Sequence, residues 1–239
     1  MPTAPDPRAS DPRASGQHRP IADLATITGE ENLLVLALQP GDESLDCGGL
    51  IARSCGRGRQ PFVMVLHDGS ASHPASREWP PGRIAAERER ETREAVRRLG
   101  LRPERLLMAG LFDGETPAEG PVFEAVIRAV SLVMWARDCG LLVAPWPEGN
   151  AARAAHRIAA EVARRSGVGH LAHGGPSPPE AAPGWRLDIS AQLQAKRHAV
   201  AAHASQLGGL VADDPGPRFA AARLEAAFQP FENLLRPPD

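Results

Sequence analysis

The sequence predicts an α/β fold, a Rossmann-like, doubly wound and mostly parallel sheet with helices on both faces. Three observations carry that prediction. Short apolar runs recur at Asn32–Leu38, Pro61–Leu66, Leu106–Ala109 and Leu141–Pro145, as strands buried on both faces require. Longer stretches of helical character alternate with them from Leu33 to about Ser166, the order that parallel crossover units need. Glycines and prolines mark most of the joins, where the chain must turn.

Taken in order, residues 1–20 repeat DPRAS at Asp6–Ser10 and Asp11–Ser15 and lack bulky apolar side chains. Such a stretch cannot bury enough surface to offset its ordering entropy, so a disordered tail is expected. One α/β domain is expected over 21–235, with a Rossmann-like core at 33–166 and a C-terminal cap at 174–235. After the first strand come a polar turn, Gln39–Ser44, then Gly48 and Gly49, and a short helix ending at Gly56–Gly58. The two glycines suit close packing of that helix. The second strand is followed by a long loop, Ser70–Gly82, holding Pro74, Pro80 and Pro81. Loops of that length are often functional, and Arg77 and Trp79 are available there for a ligand.

Arg83–Leu99 reads as a helix laced with i,i+4 charge pairs, with Gly100 as its C-cap. Val122–Arg137 and Ala151–Arg165 read as the next two helices. Gly174–Gly184 is rich in proline and glycine and reads as a connection. Beyond it, Trp185–Ile189 reads as a strand, Ile189–Leu207 as a helix, and Phe219–Leu235 as a last helix with a break at Pro230.

Composition bounds the partners. A formal net charge of −2 gives no electrostatic reason for nucleic acid or an anionic membrane surface. The longest apolar run, Leu33–Leu38, is far too short to cross a bilayer. The N-terminus lacks the basic-then-apolar order of a signal peptide. Three cysteines without CxxC spacing read as reduced thiols. A cytoplasmic protein is expected, with a small-molecule or glycan-like ligand and a protein partner as the open alternatives.

In open α/β sheets ligands bind where loops leave the carboxyl ends of the strands. The segment Gln39–Gly49 lies there and is not GxGxxG, so a dinucleotide or S-adenosylmethionine reading fits poorly. Taken alone, Asp42 and Glu43 are ordinary acidic residues at a helix N-terminus. His67 reads as a satisfied histidine at a strand end, and Arg88 with Glu91 as an i,i+3 pair. His203 and Ser205 do not make a Ser–His hydrolase, because no GxSxG elbow is present and i,i+2 side chains diverge.

Four segments in order resemble the LmbE/PIG-L family of zinc-dependent de-N-acetylases. L-Q-P-G-D-E-S-L-D-C-G-G, ending at Gly49, stands where the family has a strand and P-H-P-D-D-E-x-x-x-x-G-G. His67-Asp68-Gly69 resembles its T-D-G, and Arg88 with Glu91 its R-x-x-E. Lys196 with Ala202-His203-Ala204-Ser205-Gln206 resembles its K…A-H-x-S-Q. The resemblance implies zinc held by two histidines and an aspartate with one open position, lowering the pKa of bound water and polarising an N-acetyl carbonyl. It places substrate binding at Arg88, Asp68 and His203, and metal binding at Asp42.

Much of the implied machinery is altered. The first ligand histidine is Gln39, and the general base is Gly41, leaving Asp42 and Glu43 as the acidic pair for any catalysis. The H-x-D-H motif after the fourth strand is missing. Two placements of the third ligand stay open: Ala152 by direct alignment, or His156 one helical turn on. With Ala152, one carboxylate and a neutral amide cannot hold zinc. With His156, Asp42, His156 and the Gln39 carbonyl oxygen make a weak site. The expectation is a catalytically impaired copy or pseudoenzyme with zinc absent or weakly bound; the alternative is an amidohydrolase with a rearranged site on Asp42 and His156.

Overall fold

The computed structural model describes residues 19–113, 116–174, 182–214, 216 and 218–237. The expected disordered tail lies outside them except for Arg19 and Pro20, as do residues 175–181 of the Gly174–Gly184 connection. Among the described residues eight strands form one sheet: β1 (Ile21–Ala22), β2 (Asn32–Ala37), β3 (Phe62–His67), β4 (Leu106–Leu111), β5 (Cys139–Pro145), β6 (Gly169–His173), β7 (Gly184–Asp188) and β8 (Phe231–Leu235), in the order β1-β7-β8-β6-β5-β2-β3-β4. All pairings are parallel except those of β8, which runs antiparallel to β6 and β7.

The helices follow from the crossovers. α1 (Leu24–Thr28), α2 (Asp42–Gly56) and α3 (Pro81–Arg98) precede the reversal; α4 (Gly120–Ala136) and α5 (Gly149–Ser166) follow it. The remaining helices are α6 (Leu193–Val200), α7 (Ala204–Leu207) and α8 (Ala221–Ala227). Side chains alternate across a strand, so β2 feeds two cores. Leu33, Val35 and Ala37 pack with Leu50 and Ile51 of α2 and Val96 of α3. Leu34 and Leu36 pack with Ile127 and Val130 of α4 and Ile158 and Val162 of α5. From β2 the chain winds outward through β3 to β4, then returns to place β5 on the other side of β2. The carboxyl ends of β2 and β5 are therefore the switch point, where loops diverge and leave a crevice.

Two expected elements differ. Phe219–Leu235 is not one helix: α8 stops at Ala227, and Phe231–Leu235 becomes β8. Strand pairing is the reason, since β8 fills the gap between β6 and β7 and satisfies both edges. Ile189–Leu207 is divided into a 3-10 turn at Ser190–Gln192, then α6 and α7, with His203 between the last two. β6 carries no strong strand pattern and forms because the edge of β5 needs a partner. Gly49 shows why α2 has glycine here: a Cβ would lie 2.4 Å from Cγ2 of Ile189.

Candidate functional site

The segment after β2 is held by its own backbone and by buried side chains. Gly41 precedes α2 at φ +104°, a left-handed conformation that suits glycine. Its N–H donates to Oε2 of Glu43 at 2.7 Å. Oε1 of Glu43 accepts from the Ser44 hydroxyl at 2.7 Å and lies 3.2 Å from Nε2 of His203. Glu43 and His203 are fully buried, so both face inward and brace α2 against the C-terminal segment. Asp68 is also a brace: its Oδ1 accepts from the Ser70 and Asp113 N–H groups at 2.9 and 3.1 Å.

Of the adjacent acidic pair, Asp42 is the one that lines the crevice. Its Oδ2 accepts from the Gln39 N–H at 3.0 Å. Its Oδ1 accepts from the Arg223 guanidinium at 2.8 Å, and the same Arg223 nitrogen donates to Asp46 at 3.0 Å. Arg223 arrives from α8 and is held mainly by the charge of Asp42, then that of Asp46, which together raise its pKa above the ordinary arginine value. Burial pushes the Asp46 carboxyl up, against the opposing pull of Arg223 and of His173, whose Nδ1 is 3.7 Å away.

Gln39 is turned by its neighbours. Its side-chain nitrogen lies 3.0 Å from Nδ1 of His67 and donates to Asp113. Reversing the amide would set its oxygen against the Asp113 carboxylate, so the nitrogen faces this pair and the oxygen is left without a hydrogen bond. His67 in turn meets the Thr116 hydroxyl at 3.1 Å through Nε2. Burial alone would raise the Asp113 carboxyl, but hydrogen bonds from His67 and Gln39 bring it below its ordinary value.

Phe219 closes the position before Asp42. A Cβ on Gly41 would lie 2.6 Å from Cζ of Phe219, whose ring stands edge-on to His203 at 6.0 Å. Two cavities flank the Asp42–Arg223 pair. The larger, about 530 Å³, is lined by Gln39, Asp42, Arg88, Asp113, Gln206, Arg218 and Phe219 among others. The smaller, about 220 Å³, is lined by Asp42, Asp46, Trp146, Ala152, His173 and Arg223 among others.

Thus Asp42, Gln39, Arg88 and Ala152 come together around the crevice, and His156 does not. The His156 ring packs 5.3 Å from that of His170, three residues, about 10 Å, before the site end of β6. Ala152, in the first turn of α5, faces the cavity that Asp42 lines. Among the described residues no three His, Cys, Asp or Glu side chains form a group able to hold a metal ion. No described helix is long and apolar enough to cross a membrane.

Sequence reasoning missed Arg223, Phe219, Asp46, Asp113 and His173. Asp46 was visible in principle, because it follows Asp42 by one helical turn and shares its face. Asp113 and His173 sit at the carboxyl ends of β4 and β6, where sites gather. Nothing local marks Arg223 or Phe219.

Residues 34–166 match the family model described as PIG-L, GlcNAc-PI de-N-acetylase, which is more than half of the 239 residues. No curated protein matches the sequence. Among solved structures the chain is similar to N,N'-diacetylchitobiose deacetylase from Pyrococcus horikoshii, at 19% identity and a TM-score of 0.63, over 76% of this chain and 73% of that one. It is similar to the 4-carboxy-2-hydroxymuconate hydratase of Pseudomonas putida KT2440, at 16% identity and a TM-score of 0.64, over 86% and 95% of the two chains. A zinc-inhibited form of a teicoplanin deacetylase is similar at 13% identity and a TM-score of 0.63, over 85% and 96%. At these identities the likeness shows a common fold.

Proposed function

The chain belongs to the PIG-L de-N-acetylase family, and from that premise we propose that this member has lost the metal-dependent deacetylase reaction and uses the crevice to bind a glycan-like small molecule. One observation carries the reading: the Arg223 guanidinium sits between Asp42 and Asp46, hydrogen-bonded to both. Asp42 stands at the family's metal-ligand position. A guanidinium on that carboxylate supplies the positive charge a metal would bring, and it repels a dication at the same point.

The rest of the donor set does not fit zinc. Gln39 spends its amide nitrogen on His67 and Asp113, and an amide oxygen is a poor zinc ligand beside imidazole. Ala152 offers a methyl group. Gly41 offers no base, and Phe219 fills the space in front of it. Loss of a positioned base alone costs about 10²- to 10⁴-fold in rate, and among the described residues no other carboxylate is poised in its stead. Asp42 is tied to Arg223, and Asp113 is tied to Gln39. What the residues can do is bind: a cavity of about 530 Å³, largely apolar with Gln39, Asp42, Arg88 and Asp113 among its lining residues, falls in the size range of small-ligand sites.

The test pairs elemental analysis with acetate release. Protein dialysed against zinc should retain far less than stoichiometric metal and release no acetate from N,N'-diacetylchitobiose or N-acetylglucosamine conjugates. Stoichiometric zinc, lost in Asp42→Ala together with acetate release, overturns the proposal.

A further inference from the structure

We propose that the larger cavity takes a ligand bearing an oxyanion, a carboxylate or a phosphate, with Arg88 as its counter-charge and Gln206 as a donor beside it. This rests on the reading of the crevice as a binding site and adds the class of ligand.

The argument starts from an unbalanced buried charge. Arg88 projects from α3 and is 3% exposed. Its terminal nitrogens donate to two neutral carbonyls, that of Pro40 at 2.7 Å and that of Gly69 at 3.3 Å. Nε has no partner. Among the described residues no carboxylate lies within ion-pair distance of it. Buried charges are ordinarily paired, because carbonyl dipoles only partly replace water. The imbalance appears in its titration: burial lowers the Arg88 pKa by more than the attraction of Asp42, Asp113, Glu91 and Glu43 restores.

The Arg223–Asp42 pair and Asp113, on the same cavity, are already matched. Arg223 is paired with Asp42 and Asp46. Asp113 accepts from Gln39 and sits 3.7 Å from His67. Arg88 is therefore the buried lining cation that an incoming anion would neutralise. A second, independent feature lines the same cavity. Gln206 is 5% exposed, and its Nε2 has no hydrogen-bond partner. Arg218, which is exposed, lines the same cavity. An acidic ligand there is held by charge-assisted hydrogen bonds, which are about twice as strong as neutral ones.

The experiment is isothermal titration calorimetry on the full chain with four probes: N-acetylglucosamine, N-acetylglucosamine 6-phosphate, N-acetylmuramic acid and inorganic phosphate. The phosphorylated or the carboxylated sugar should bind about 10-fold or more tighter than the neutral one, and which of them does so names the oxyanion. Arg88→Gln should erase that preference. Arg88 also ties two loops together, so Gln206→Leu is the companion variant. It removes a buried amide whose nitrogen has no partner, should fold as well as the parent, and should weaken the acidic sugar about 3- to 10-fold. Equal affinity for charged and neutral sugars, or preference unchanged in both variants, overturns the proposal. That outcome leaves the loss of deacetylation standing, because only zinc retention and acetate release speak against that reading.

Discussion

Replacing Arg223 with methionine removes the guanidinium and keeps most of the side-chain volume. Its size of effect follows from the contacts. The Arg223 side chain is 30% exposed, while those of Asp42 and Asp46 are 11% and 12% exposed. Breaking a fully buried pair by removing one partner costs about 3–5 kcal/mol, and a surface pair is worth about 0–1 kcal/mol. With part of the guanidinium in water, the expected loss lies between, at about 2–3 kcal/mol. Most of it comes from two carboxylates left facing each other across a poorly solvated gap. The same change in an Asp42→Asn, Asp46→Asn background should therefore cost less than about 1 kcal/mol, since no charge is stranded. Urea unfolding followed by tryptophan fluorescence measures both. A loss below about 0.5 kcal/mol, or an equal loss in the two backgrounds, would refute the view that Arg223 is the cation organising this site.

Further outcomes follow from the same geometry. Gly41→Asp, which restores the family's base, should destabilise the protein by about 2–4 kcal/mol, through a left-handed φ and overlap with Phe219; adding Phe219→Ala should recover part of the loss in the same unfolding assay. Restoring Gln39→His, Gly41→Asp and Ala152→His should fail to bring back zinc unless Phe219→Ala and Arg223→Ala are added, which elemental analysis decides; stoichiometric zinc in the triple variant would contradict the account. Burial, aided by His156, lowers the His170 pKa from 6.5 to about 4. The folded state thus prefers the neutral ring, so stability from this residue is full above pH 6.5 and falls as pH drops towards 4, by roughly 3 kcal/mol at most. His170→Asn should flatten that part of the pH–stability curve, and an unchanged slope would exclude His170 as its cause.

Much of the scaffold was legible from residue patterns. β2, β3 and β5 are buried on both faces, and continuous apolar runs such as Leu33–Leu38 signal that burial directly. The charged, 3.6-periodic α3 and the Gly48-Gly49 pair were equally plain, because helix periodicity and close approach each leave a local mark. β8 was not legible. Phe231–Leu235 has no strand signal strong enough to outweigh helical continuation from α8, and it becomes a strand because β6 and β7 leave edges to be paired. β6, with histidines and glycine in a five-residue segment, forms for the same non-local reason.

The candidate site divides along the same line. The sequence by itself determined which groups stand at the positions the resemblance assigns to the site: a glutamine at 39, a glycine at 41 and no H-x-D-H motif. It also identified Asp42 and Arg88 as residues to watch. Only the tertiary structure decided what stands in their place. It set Ala152 on the cavity that Asp42 lines and His156 one turn further along the same face of α5, against His170. It turned Glu43 and His203 inward, and it brought Phe219 and Arg223 across from a segment about 180 residues away in the chain. The physical reason is one of range: an omitted ligand is a local fact of covalent sequence, whereas a compensating charge acts through space and can come from any element that packs nearby.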